Sequence, residues 1–126
     1  MTLTYEEATG RETPIGSPVS IIIYNFTSDE SGDASEQTEK VSGLIKRVVT
    51  NPDDTDTPTA GWDLTITDED DVDVLCGNGA DRDAGDTGAS EQAFPCPGSL
   101  AVASKLTFIV ANAGNAKKGI VKVYIT

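Results

Sequence analysis

The side chains of this sequence that could do chemistry are carboxylates, and their densest cluster lies in residues 68–73. Hard cations such as Ca²⁺ bind clustered carboxylate and carbonyl oxygens, so the weak calcium candidates are Asp68, Asp70, Asp71 and Asp73. Their spacing does not fit the loop of the helix–loop–helix calcium site. The alternative, favoured by the turn-like composition, is that these carboxylates are solvated and keep the protein soluble.

Catalytic chemistry has little support in the sequence. There is no histidine, which excludes the Ser-His-Asp and Cys-His arrangements of nucleophilic catalysis. A carboxylate that acts as a general acid needs an apolar pocket to raise its pKa, and the carboxylates here are flanked by Thr, Gly, Pro and further carboxylates. The glycine motifs that bind phosphate are also missing. We therefore expect a protein that is not an enzyme and that uses no cofactor.

The two cysteines, Cys76 and Cys96, leave two alternatives open. A disulfide between them would close a loop of about twenty residues and contribute roughly 3 kcal/mol. The first residues lack the basic start and apolar middle of a signal peptide, so we expect synthesis in a cytoplasm, which favours free thiols. Oxidation after release from the cell would allow the bridge.

The charge distribution narrows the classes of partner. Net charge is −12, from 21 acidic and nine basic residues, which argues against nucleic acid and against anionic membranes because both attract clustered Lys and Arg. A basic partner fits better. Residues 51–104 contain thirteen acidic residues and one basic residue, Arg82, whereas residues 105–126 contain four lysines and no acid. The molecule is therefore expected to have a polarised surface.

The elements that must position these groups are strands. Short β-branched runs separated by turn residues dominate, without a sustained helical period. The strongest are residues 19–26, 39–50, 62–67, 99–111 and 119–125, with a bulge or bend at Gly43 and a return strand after the acidic turn at 68–70. Trp62 alternates with Leu64 and Ile66, which favours a core position over a sugar-binding platform. Residues 77–97 read as a long loop.

These patterns predict one all-β domain over residues 1–126, with a flexible N-terminal arm at residues 1–13. We expect an antiparallel β-sandwich, or a small Greek-key or jelly-roll-like barrel, of about seven strands.

Two blocks of sequence carry a resemblance. Residues 61–83 read GWDLTITDEDDVDVLCGNGADRD, and residues 106–124 read LTFIVANAGNAKKGIVKVY. Together they resemble small structural proteins encoded in the head gene clusters of tailed bacteriophages. The resemblance implies a β-sandwich virion component, most simply a capsid decoration (cement) protein that binds the outside of the capsid and stabilises the shell. Cys76 and Cys96 depart from the family pattern, in which small or apolar residues are usual.

Under that resemblance the expected partner is the major capsid protein, and the expected location is the capsid exterior of the virion. The alternative is a neck, tail-tip or fibre-associated virion protein, and a third option is a carbohydrate- or cell-surface-binding module. A homotrimer fits the family, although nothing in the sequence counts subunits. The residues that we nominate for partner contact lie in the arm and in exposed turns: Tyr5, Arg11, Asp53, Asp54, Asp56, Asn78, Asp81, Arg82 and Asp83.

Overall fold

The computed structural model describes residues 2–7, 19–82, 91–93 and 99–126. These residues form seven strands and no helix, and the strand pairs are all antiparallel. The all-β, antiparallel prediction with about seven strands is confirmed. The strands are β1 (Thr2–Glu7), β2 (Ser20–Thr27), β3 (Ala34–Pro52), β4 (Asp63–Thr67), β5 (Glu91–Ala93), β6 (Leu100–Ala111) and β7 (Lys118–Ile125).

The long strand β3 organises the sheet, whose order is β1-β2-β7-β3-β6-β4, with β5 beside β3. Residues 34–45 of β3 pair with β6, and residues 45–52 pair with β7. We call β1, β2, β7 and residues 45–52 of β3 the first half of the sheet. The second half is residues 34–45 of β3 with β6 and β4.

β3 changes partners at a bend near Gly43. The register shifts between Ile45 and Arg47, and such a bulge increases local twist. Gly43 has a φ of 145°, and a Cβ built there would lie 2.7 Å from the Ile125 side chain. The C-terminal strand therefore crosses β3 where only a glycine leaves room.

Aromatic rings join the two halves across the core. The Tyr24 ring in β2 lies 5.5 Å from the Phe108 ring in β6, and the Phe26 ring lies 5.2 Å from that of Trp62, just before β4. Trp62 is fully buried, which confirms its predicted core position. Since β2 belongs to the first half and β6 to the second, the inner faces of the two halves pack against each other.

Three local expectations differ from the structure. Residues 2–7 of the expected arm form strand β1, which pairs with β2 along its length; residues 8–13 and Met1 lie outside the described part of the chain. β3 begins at Ala34 rather than at residue 39. The segment predicted as a loop at 77–97 contains β5, which pairs with residues 48–50 of β3.

The predicted return strand after the acidic turn is replaced by consecutive turns. The chain does run back beside β4, because Thr67 bridges Asp73 and Trp62 bridges Arg82. Between these bridges residues 74–79 form turns, in which Val74 and Leu75 are buried. The Asp73 carboxylate accepts hydrogen bonds from Leu75 N and Gly77 N, and side-chain bonds of this kind compete with a regular strand ladder.

Candidate binding surface at the loop end

Three connections gather at one end of the sheet, where β2, β3 and β6 finish. They are residues 28–33, 53–62 and 112–117, and we call this surface the loop end. The register brings them together, since Thr27 pairs with Lys118 and Pro52 pairs with Gly119.

Backbone hydrogen bonds interlock the three connections. Ala113, which is fully buried, donates from its N to Gly32 O at 3.0 Å and accepts from Thr59 N at 2.9 Å. The Ser28 hydroxyl accepts from Lys117 N at 2.8 Å. Gly32 has a φ of +85°, and a Cβ there would lie 2.8 Å from Gly114 N. The loop end is therefore a fixed surface whose glycines are needed for close backbone approach.

Four aspartates use their carboxylates to cap turns. Asp29 accepts from the N of Ser31 at 2.8 Å and of Asp33 at 3.0 Å, and Asp53, Asp68 and Asp73 make equivalent bonds to the amide two residues on. An aspartate that hydrogen-bonds its own chain in this way builds an Asx turn. Four of the 21 acidic residues of this chain therefore stabilise its turns.

The nominated residues of the 53–56 segment divide into two kinds. The Asp53 carboxylate accepts hydrogen bonds from the backbone amides of Asp56 at 2.7 Å and of Thr55 at 3.0 Å. These bonds hold the pKa of Asp53 below its ordinary value, and the charge of Lys118 adds to the effect. Asp56 forms an ion pair with Lys118 at 3.6 Å. Asp54 is exposed, so its carboxylate is available at the surface.

The structure brings the second group of nominated residues to the same end, through Asp63. Asp81 donates from its N to the Asp63 carboxylate at 3.0 Å, and the other oxygen of that carboxylate accepts from Asn112 Nδ2 at 2.6 Å. Both Asn78 and Asp81 are exposed. The turn at residues 77–82 therefore extends the loop end.

The nomination of Arg82 as a contact residue needs a correction. Its side chain is buried, with 8% exposure, and its Nη2 donates to Asn78 O at 2.8 Å. Its backbone N donates to Trp62 O at 2.6 Å. Arg82 therefore braces the 77–82 turn against the core.

The calcium candidates do not converge on a common point. Asp68 and Asp73 point their carboxylates at backbone amides, while Asp70 and Asp71 are exposed. In the described part of the chain, no group of three or more His, Cys, Asp or Glu side chains could hold a metal ion.

Other predicted residues are only partly described. Tyr5 belongs to β1 and pairs with Ile22. Cys76 is disulfide-bonded. The other cysteine of the sequence, Cys96, and the nominated residues Arg11 and Asp83 lie outside the described residues.

Two grooves border the loop end. A groove of about 430 Å³ lies on the β2–β7–β3 side and is lined by Asn25, Phe26, Thr27, Asn51, Pro52, Asp53, Asp54, Lys118, Gly119 and Ile120. A groove of about 550 Å³ lies on the β3–β6 side and is lined by Thr27, Asp29, Asp33, Ala34, Ser35, Ile109, Val110 and Ala111. Sequence reasoning missed both, because their walls come from strands whose pairing the sequence does not state.

The membrane question has a simple answer for helices. None of the residues that the structure describes forms a helix long and apolar enough to span a bilayer.

Comparisons with known proteins add little. No family model matches the chain, and no curated protein matches it. Among solved structures the chain is similar to the crystal structure of FlhE, with a TM-score of 0.39 and 14% identity, covering 85% of this chain and 96% of that chain. Similarity at this level supports no conclusion about function.

Proposed function

We propose that the protein is a non-enzymatic structural component of a virion, a capsid decoration protein that binds the outer shell through its loop end. The observation that carries the proposal is the interlocked loop end itself. Glu30, Asp54 and Asp81 are exposed on it, and the backbone beneath them is held by hydrogen bonds between loops. A surface ordered before contact loses less entropy on binding than a flexible one.

The position of the resemblance supports the same surface. The block at residues 61–83 contains the turn at 77–82, and the block at residues 106–124 contains the connection at 112–117. Both turns belong to the loop end, where Thr59 and Ala113 are hydrogen-bonded. The two resembling segments are therefore adjacent in the fold.

Charge indicates the kind of shell surface that would bind. Exposed carboxylates at the loop end favour a partner surface rich in Lys and Arg, since complementary potentials raise association rates and exclude wrong partners. The major capsid protein is the proposed partner. Binding of this kind should weaken as salt is raised, because exposed charges are screened over about 8 Å at physiological ionic strength.

The test is co-sedimentation of the purified protein with mature capsids that lack it, and with tail complexes as a parallel sample. We expect saturable binding to capsids at a fixed ratio to the major capsid protein. The charge-reversed variants Asp54→Lys and Asp81→Lys should bind at least about tenfold more weakly. Asp70→Lys, the matched control, makes the same change of charge in the acidic turn at 68–73 and should bind normally.

The alternative locations give different results. Binding only to tails would favour the neck, tail-tip or fibre-associated protein over the decoration protein. Binding to neither sample would reject both virion functions. A glycan-binding module would then be the next hypothesis, although Trp62 is buried and cannot stack on a sugar.

A further inference from the structure

The outer side of the first half of the sheet combines aliphatic and cationic side chains. Ile22, Tyr24 and Phe26 point into the core, so the alternate residues of β2 point outward. The outward residues of β2, β7 and β3 form a surface that we call the basic face: Ile21, Ile23, Asn25, Arg47, Val49, Asn51, Lys118, Ile120, Lys122 and Tyr124.

Residues paired across β2, β7 and β3 form rows on the basic face. Ile23 and Val49 both pair with Lys122, one on each side of it. Directly opposed residues of an antiparallel pair share a face, so the Lys122 side chain stands between two aliphatic neighbours. In the next row the Arg47 guanidinium lies over the Tyr124 ring, 5.1 Å from its centroid. Such stacking fixes the cation at the surface.

The charged residues of β2, β7 and residues 45–52 of β3 are all basic in a chain of net charge −12. Acidic residues border the face, with Glu6 of β1 paired with Ile21 at one edge and Asp53 and Asp54 in the groove at the loop end. β2 and β7 contain no acidic residue, and β3 contains none after Glu39. The ion pair of Lys118 with Asp56 lies at the corner that adjoins the loop end. The face therefore suits an occupant that offers carboxylates together with an apolar group.

The same chain has a surface of that description at the acidic turn. Asp70, Asp71 and Val72, which we call the acidic knob, are all exposed, and the Val72 side chain has 55% exposure. The knob therefore offers two carboxylates together with one exposed aliphatic side chain.

The acidic knob is held in shape before any contact. The Asp68 carboxylate accepts from the N of Asp70 at 2.9 Å and of Val72 at 3.0 Å. Glu69 fastens the turn to β6, since it accepts from Lys105 N at 2.8 Å and donates from its own N to Ser104 Oγ at 2.9 Å. The knob is therefore a rigid projection.

We propose that the basic face binds a second copy of this chain, whose acidic knob lies on it. Carboxylates of the knob would face Lys122 and Arg47, and Val72 would cover aliphatic surface between them. The knob is attached to β6 in the second half, whereas the basic face points away from that half. The two surfaces therefore meet only between chains.

A contact between two different surfaces is heterologous, and repeated heterologous contacts generate a closed ring or an open filament. This inference does not rest on the proposed shell binding, and it is tested on the free protein.

The experiment is sedimentation velocity of the full chain from micromolar to millimolar concentration at physiological ionic strength, where the repulsion of two acidic chains is screened. We expect the average sedimentation coefficient to rise with concentration. Lys122→Glu on the face and Asp70→Lys on the knob should each raise the dissociation constant at least about tenfold. Lys40→Glu and Glu39→Lys make the same two changes of charge at exposed positions of β3 outside the two surfaces and should associate like the wild type.

Mixing the two impaired variants is the decisive step. Chains with Lys122→Glu keep an intact knob, and chains with Asp70→Lys keep an intact basic face, so a mixture should associate although neither does alone. A wild-type chain that stays monomeric throughout would overturn the proposal. So would variants that associate normally, or a face variant that loses association while the knob variant retains it.

Discussion

The rings of Tyr24 and Phe108 pack edge to face, with an interplanar angle of 83° and a centroid distance of 5.5 Å. This T-shaped contact is a favoured geometry for aromatic pairs. It joins β2 to β6, two strands that are not neighbours in the sheet. The contact therefore holds the inner faces of the two halves together.

Alkaline pH should test the burial of Tyr24. Burial, and secondarily the charge of Glu36, raises its pKa to about 12, whereas an unfolded tyrosine titrates near 10. A raised folded pKa means that this stabilisation is complete below about pH 10 and is lost as the pH rises towards 12. At pH 11 the loss should be about 1 kcal/mol.

Tyr24→Phe removes the titrating group, so the free energy of unfolding should fall less between pH 8 and pH 11 than in the wild type. Urea denaturation at the two pH values measures it. Tyr124→Phe, which changes a ring on the outer side of the sheet, is the control and should retain the wild-type difference. An equal fall in the wild type and in Tyr24→Phe would contradict the assignment.

The Asx turn at Asp53 should control local opening of the loop end. Asp53→Ala removes the acceptor for the amides of Thr55 and Asp56, so both amides should exchange hydrogen faster. Because the pKa of Asp53 is lowered, its contribution should be present above the ordinary titration range of Asp and be lost as the pH falls through the folded pKa.

Hydrogen exchange followed by NMR measures this effect, with Asp54→Ala as the matched control. Asp54 is adjacent and exposed, so its substitution should leave the exchange of the two amides unchanged. Equal acceleration in both variants would mean that the segment is held by something other than the Asp53 carboxylate.

Gly119 should be intolerant of any side chain. A Cβ at this position would lie 2.7 Å from two atoms of the Phe26 ring and 3.3 Å from Asn51 O. Overpacking of a core typically costs about 1–3 kcal/mol, and we expect a loss of that size in the free energy of unfolding of Gly119→Ala.

A double-mutant cycle identifies the cause. Phe26→Leu replaces the ring that the new methyl group meets with a smaller aliphatic side chain. The combined variant should therefore lose less stability than the sum of the two single changes. Additive losses would attribute the effect to the backbone rather than to the ring.

Much of the fold was predictable because three strands have plain apolar patterns. The predicted segments 19–26, 99–111 and 119–125 lie within one residue of β2, β6 and β7 at every boundary. These strands are rich in Ile and Val, which pack well on a pleated surface.

The first residues of β3 were missed because their inward side chains are small or polar, beginning with Ala34. Thr38 is buried, and its hydroxyl accepts from Leu106 N at 2.9 Å, so a hydrogen bond replaces the apolar alternation that marks a strand. β1 was missed for a related reason, since its one aliphatic residue, Leu3, gives no period. Both segments are stabilised by pairing with strands that are distant in sequence, and the local sequence pattern does not reveal that pairing.

The sequence predicted the exposed acidic turns of the candidate site but not the contacts made by the individual side chains. The sequence indicated exposed acidic turns, and the structure exposes Asp54, Asn78 and Asp81 at one end. It did not distinguish carboxylates that cap turns from those left in solvent, because that depends on which backbone amides point at them. Nor did it reveal the burial of Arg82, which depends on the bridge to Trp62.

The pairing of β2 with β7 has a consequence for synthesis on the ribosome. Thr27 and Lys118 are partners about ninety positions apart, and contacts so distant in sequence form slowly. β6 can pair with β3 once residues 100–111 leave the exit tunnel, whereas β2 must wait for residues 118–125. Until then the apolar side of the nascent chain at Ile22, Tyr24 and Phe26 lacks the neighbouring strand that completes the sheet. The interval before residues 118–125 emerge from the ribosome is therefore the one in which a chaperone would have most to bind.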